Sequence, residues 1–126
     1  MDEIKEIIDD LGIKALENNM NIASAAVISD SGDLIFQTSN WNLTNQTQIV
    51  LDALRGVSSF ILNDLLFSVI ETTTEGIIGT NDKGMGHILL APFQGGVLVS
   101  YAMPRADSPK ALAFLKAYAI KLNGKL

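Results

Sequence analysis

The chain has 126 residues, 48% of them hydrophobic, a formal charge of −5 and no cysteine. That length suits one domain with enough apolar material to fold without a metal or disulfide staple, and the missing thiols exclude a thiolate nucleophile, a CxxC zinc site and a disulfide framework. The acidic balance argues against nucleic acid or anionic lipid as a partner, because counterion release needs clustered Lys and Arg.

The opening Met1-Asp2-Glu3-Ile4-Lys5-Glu6 is acidic and lacks a basic leader with an apolar run behind it, so the chain is expected to stay in the cytoplasm. No stretch approaches the ~20 apolar residues of a membrane span. From Asp2 to Glu17, Ile4, Ile7, Ile8, Leu11 and Ala15 recur at three-four spacing, which predicts a helix with one buried stripe. Ile22 to Ser29 and Leu34 to Thr38 read as two strands joined through Asp30-Ser31-Gly32-Asp33. Thr44 or Asn45 is expected to cap a second helix that buries Ile49, Ala53, Leu54, Val57 and Ile61 and ends near Asn63-Asp64.

Leu66 to Thr73 and Gly76 to Asn81 then read as short strands around Thr74-Glu75. The turn at Asn81-Asp82-Lys83-Gly84 leads into a strand from His87 to Phe93, and Gln94-Gly95-Gly96 turns into Val97 to Met103. Short connections make the sheet antiparallel. Asp107 or Ser108 caps a last helix with Pro109 in its first turn, and Leu112, Leu115, Ala119 and Leu122 face the sheet. The sum is α+β: helix, two strands, helix, three or four strands, helix, with no repeat or linker dividing it.

Residue types for catalysis are scarce. His87 is the only histidine, so a His-rich metal site is excluded, and at a strand start it reads as a solvated or partner-contacting imidazole. Gly79, Gly84 and Gly86 read as turn residues, since no Walker pattern follows them. Asp30, Asp33, Asp64 and Asp82 fall at turns, where a carboxyl lacks the burial that equips a general acid. No catalytic residue, cofactor or metal is expected. Trp41 is read as core cover, and the acidic run from Asp2 to Asp10 as a solvated face. Lys110, Lys116 and Lys121, with Arg105 before them, form a cationic strip on the last helix.

Three stretches carry a family resemblance. Ala25 to Ser39 runs through a strand, a Gly turn and an aromatic followed by small polar residues; Ile77-Ile78-Gly79-Thr80-Asn81-Asp82-Lys83-Gly84 leads through paired strands to Met103-Pro104; and Tyr118 stands in the final helix. In order and spacing, over about four-fifths of the chain, these resemble a profilin, of a divergent and archaeal type. The resemblance implies a profilin-like antiparallel sheet with N-terminal, middle and C-terminal helices. It implies a non-enzymatic, monomeric, cytoskeleton-associated protein that binds an actin monomer. By position, the actin-binding residues would be Thr80, Asn81, Lys83, His87, Gln94, Arg105 and Lys110, with Ala91 where the family carries a cation.

Profilins also stack polyproline on aromatics between their terminal helices. Here only Phe36 and Tyr118 stand at matching positions, so polyproline binding is expected to be weak or absent. A roadblock or longin-like fold, a dimeric scaffold for a small GTPase, remains the alternative. It shares the sheet and flanking helices, but profilins carry an additional strand after the second helix, and roadblock domains pair to cover their sheet edges.

Overall fold

The computed structural model describes residues 3–126, so Asp2, with which the expected helix and acidic run begin, lies outside the described residues. Helix α1 (Glu3–Glu17) precedes the hairpin of β1 (Ile22–Ser29) and β2 (Leu34–Gln37). Helix α2 (Thr47–Leu54) follows, then β3 (Ser59–Leu62), β4 (Leu65–Thr72), β5 (Ile77–Thr80), β6 (His87–Phe93), β7 (Gly96–Ala102) and helix α3 (Ser108–Lys121). The seven strands form one antiparallel sheet in the order β2-β1-β7-β6-β5-β4-β3.

Alternation along the strands divides the interior into two cores, one on each face, because successive side chains in a strand point to opposite sides. Ala25, Val27, Ile78, Leu89, Ala91 and Leu98 meet Ile8 and Leu11 of α1 and Leu112, Leu115 and Ala119 of α3. Ala26, Ile28, Ile77, Ile88, Leu90, Val97 and Val99 meet Leu43, Val50, Leu51 and Ala53 on the other side. Each large side chain so buried contributes roughly 1.5–3 kcal/mol of transfer free energy. The central strands are therefore near-continuous apolar runs, whereas edge strand β3 buries only Phe60 and Leu62. Trp41 is half-buried against the α2-side core, and Ala91 is wholly buried under α3.

The segment between Leu54 and Leu65 differs from the sequence reading. Helix α2 stops at Leu54, Gly56 takes a φ of 104° that breaks the helical path, and Val57 is exposed. Ile61 lies in β3, which pairs with β4 through Asn63 and Asp64 at φ 50° and 66°. Two consecutive positive φ values make the tight primed turn whose twist matches a hairpin. Five strands therefore follow α2, where the sequence reading counted three or four. Thr44 does not cap α2, because its N–H and hydroxyl both donate to Asn42 Oδ1, and Gln46 is the cap residue without a side-chain bond.

Gly79 is not a turn residue. It sits inside β5, where a Cβ would come within 2.9 Å of Phe60 Cζ and 3.2 Å of Phe67 Cβ. The two phenyl rings, stacked with centroids 5.7 Å apart, occupy the space that its missing side chain leaves.

Candidate protein-docking site

The ladders set one row of residues across four strands: Ser59 opposite Ser68, Ser68 opposite Thr80, and Thr80 opposite His87. Thr80 lies two residues beyond Ile78 and His87 two before Leu89, so both project to the α3 side. Helix α3 lies over β5, β6 and β7. Towards β3 and β4 the same face opens to solvent. Ile61 and Leu66 stand there in register with 57% and 48% of their surface exposed, and Ile70, at the irregularity of β4, is 59% exposed. A shallow cleft of about 390 Å³ beside them is lined by Ile49, Asp52, Val57, Phe60, Ile61 and Leu66. An apolar strip bordered by hydroxyls and an imidazole has the chemistry that a protein-docking face requires.

The antiparallel order brings the end of β5, the start of β6, the end of β7 and the start of α3 to one end of the sheet. Thr80, Lys83, His87, Arg105 and Lys110 all belong to that end. His87 accepts or donates at 2.9 Å between Nδ1 and Thr80 Oγ1, and its Nε2 lies 3.3 Å from Pro104 O. Lys83 and Lys110 are exposed, and Arg105 Nε donates to Asn21 Oδ1 at 3.1 Å.

Asn81 does not present its side chain outward. It is only 7% exposed; its Nδ2 donates to Leu66 O at 2.8 Å, while Oδ1 accepts from the N–H groups of Lys83 at 2.9 Å and Met85 at 3.2 Å. It ties the β5–β6 turn to β4 and holds Lys83 in place. Gln94 lies apart from the rest, in the turn at the far end of β6, about 20 Å of strand from His87. There its N–H donates to Asn123 Oδ1 at 2.7 Å and its carbonyl accepts from Gly124.

Sequence reasoning missed Ile61, Leu66 and Ile70. The signal for Ile61 and Leu66 is the alternation Ser59 to Leu62 and Leu65 to Val69, but Val57 and Ile61 also stand four apart, the spacing of a helix face.

Between α1 and α3 a second shallow cleft of about 420 Å³ is lined by Glu3, Glu6, Ile7, Asp10, Tyr118, Lys121 and Lys125. Tyr118 is 6% exposed, and its hydroxyl donates to Asp10 Oδ2 at 2.8 Å. Lys121 Nζ rests 4.4 Å from the ring centroid, and Phe114 packs at 5.2 Å. Burial, then the bond to Asp10 and the charges of Asp10 and Glu17, push the phenol up to about 12. Phe36 is half-buried against the same core. The Tyr118 ring is not free to receive a ligand face-on.

Chemically the docking face offers hydroxyls, one imidazole and three cations. Among the described residues no group of three or more His, Asp or Glu is placed to hold a metal ion, and no helix is long and apolar enough to cross a membrane.

No protein-family model matches the chain. It is 33% identical to Loki profilin-2 of Lokiarchaeum sp. (strain GC14_75), over 96% of each chain. The profilin chain in a solved LokiProfilin2/rabbit actin complex superposes with a TM-score of 0.87 at 33% identity, covering all of both chains. A Schizosaccharomyces pombe profilin shares the fold at a TM-score of 0.70 and 20% identity, over 85% of this chain and 88% of that one.

Proposed function

The chain belongs to the profilin family, and from that premise we propose that it binds an actin monomer and regulates filament assembly without catalysing a reaction. The observation that carries the reading is its full-length likeness to an archaeal profilin whose complex with rabbit actin has been solved. The additional strand after α2 belongs with that reading and against the dimeric GTPase scaffold. The contact face is the open α3-side surface of β3 and β4 together with the adjoining ends of β5 and β6. Ile61, Leu66 and Ile70 are its apolar centre, Thr80 and His87 its polar row, and Lys83, Arg105 and Lys110 its cationic flank. Asn81 supports this face from within, and Gln94 stands outside it. The protein acts as a monomer, in the cytoplasm and with the cytoskeleton.

The α1–α3 cleft binds polyproline weakly or not at all, because α1 has no aromatic and Tyr118 is engaged by Asp10 and Lys121. The deciding experiment is spontaneous assembly of actin with and without the purified chain. Slowing by the parent, and less slowing by a variant carrying Lys83→Glu, Arg105→Glu and Lys110→Glu, is expected. Equal slowing by both would remove the cationic flank from the site, and no slowing by the parent would refute actin binding.

A further inference from the structure

We propose that His87 and Thr80 form a proton-operated switch on the docking face. Protonation of the imidazole reverses the hydrogen bond between them, turning the Thr80 hydroxyl from an acceptor facing the partner into a donor. The inference rests on the actin-monomer reading given above.

The geometry fixes the order of events. Pro104 O, 3.3 Å from Nε2, is a carbonyl and can only accept, so Nε2 carries a proton in either charge state. In the neutral ring Nδ1 is then a bare lone pair, and the Thr80 hydroxyl at 2.9 Å must donate to it, leaving the oxygen's lone pairs towards solvent. When Nδ1 takes up a proton it becomes a donor. Thr80 Oγ1 must accept from it, and the hydroxyl hydrogen turns outward. One proton from solvent is bound and no covalent bond changes. Both residues are half-buried in the row that runs from Ser59 through Ser68, so the reversal happens where a partner would rest.

No charged side chain stands opposite the ring across its two ladders. Across β6 and β7 His87 faces the uncharged Ala102, and on β5 only Thr80. The charged groups on the elements packed around it are Asp82 and Lys83 of the β5–β6 turn, Arg105 and Asp107 ahead of α3, and Lys110 in its first turn. None of the ion pairs among the described residues involves the imidazole. A protonated ring adds a positive charge to the flank of Lys83, Arg105 and Lys110, which suits an acidic partner surface. Acidification should therefore tighten binding.

Because His87 is the only histidine, its ring nitrogens can be followed by 15N NMR in the free protein between pH 5.5 and 8 without assignment ambiguity. The neutral ring is expected to hold its proton on Nε2, with a preference that weakens in Thr80→Val. Actin-monomer affinity over the same range should tighten by about threefold more in the parent than in His87→Gln, the scale of one exposed charge pair. A neutral ring protonated on Nδ1, or parallel pH profiles for the parent and His87→Gln, overturns the switch. If neither protein binds actin at any pH, the functional reading fails and takes pH-dependent binding with it, while the tautomer result still judges the hydrogen-bond geometry by itself.

Discussion

Ile61 of β3 and Leu66 of β4 stand directly opposite each other across a tight hairpin, both on the side of the sheet away from the phenylalanine-filled core and both largely exposed. A facing apolar pair gains packing energy within the hairpin, yet this one leaves most of its surface to water, which costs solubility unless something covers it. Replacing both by threonine keeps the strand preference and removes the apolar surface. The double variant should weaken actin-monomer binding by about tenfold, since central apolar anchors dominate such interfaces. Its urea-unfolding free energy should stay within about 1 kcal/mol of the parent. Equal affinity would place the contact elsewhere on the molecule.

Much of this arrangement was legible in the sequence because local chemistry agreed with the global fold. Gly32, Gly84 and Gly95 all adopt positive φ in the turns expected of them, and Asp107 caps α3 by accepting from the Lys110 N–H. The region from Arg55 to Asp64 misled because Val57 and Ile61 are four apart, the spacing of a helix stripe, while the turn that ends β3 uses Asn-Asp in place of the more recognisable Asn-Gly. The inward role of Asn81 depends on the carbonyl of Leu66, fifteen residues upstream, a contact no local pattern announces. The distance between Gln94 and His87 was legible too, because the strand from His87 to Phe93 sets the turn at Gln94 a full strand length from His87.

Gly79 tests the packing that supports the docking face from behind. Alanine there gains a little from reduced chain entropy, but its Cβ meets the Phe60 ring at 2.9 Å and Phe67 Cβ at 3.2 Å. Overpacking dominates, so Gly79→Ala should lower stability by roughly 1–3 kcal/mol in urea unfolding. A neutral or stabilising result would mean that the two rings move aside without loss.

Tyr118 should make stability fall in strong alkali. Its phenol is raised from an unfolded value of 10.0 to about 12, so the folded state favours the neutral hydroxyl. The contribution is fully present below about pH 10 and is lost as the pH climbs towards 12. Tyr118→Phe removes both the ionising group and its bond to Asp10. The variant should therefore be less stable than the parent at pH 8, with the difference shrinking between pH 10 and 12 when urea midpoints are compared. A constant difference across that range would show that the phenol does not ionise with unfolding.

The same tyrosine decides the fate of a proline-rich ligand. A polyproline helix binds cheaply because it is preformed, but it needs aromatic faces open to stack on. Here Lys121 lies over the Tyr118 ring and Asp10 holds its hydroxyl, while α1 lines the cleft with Glu3, Glu6 and Asp10, which offer a proline ring nothing to stack on. Titration with a proline decamer should therefore give no saturation at micromolar peptide. Calorimetry is the suitable readout, because Trp41 packs against the α2-side core on the opposite face of the sheet and would not sense the cleft. Lys121→Ala uncovers one ring face and should improve binding only slightly, since a single aromatic supplies one of the several stacking surfaces the ligand needs. Micromolar saturation by the parent chain would mean that Lys121 and Asp10 yield to the peptide at little cost.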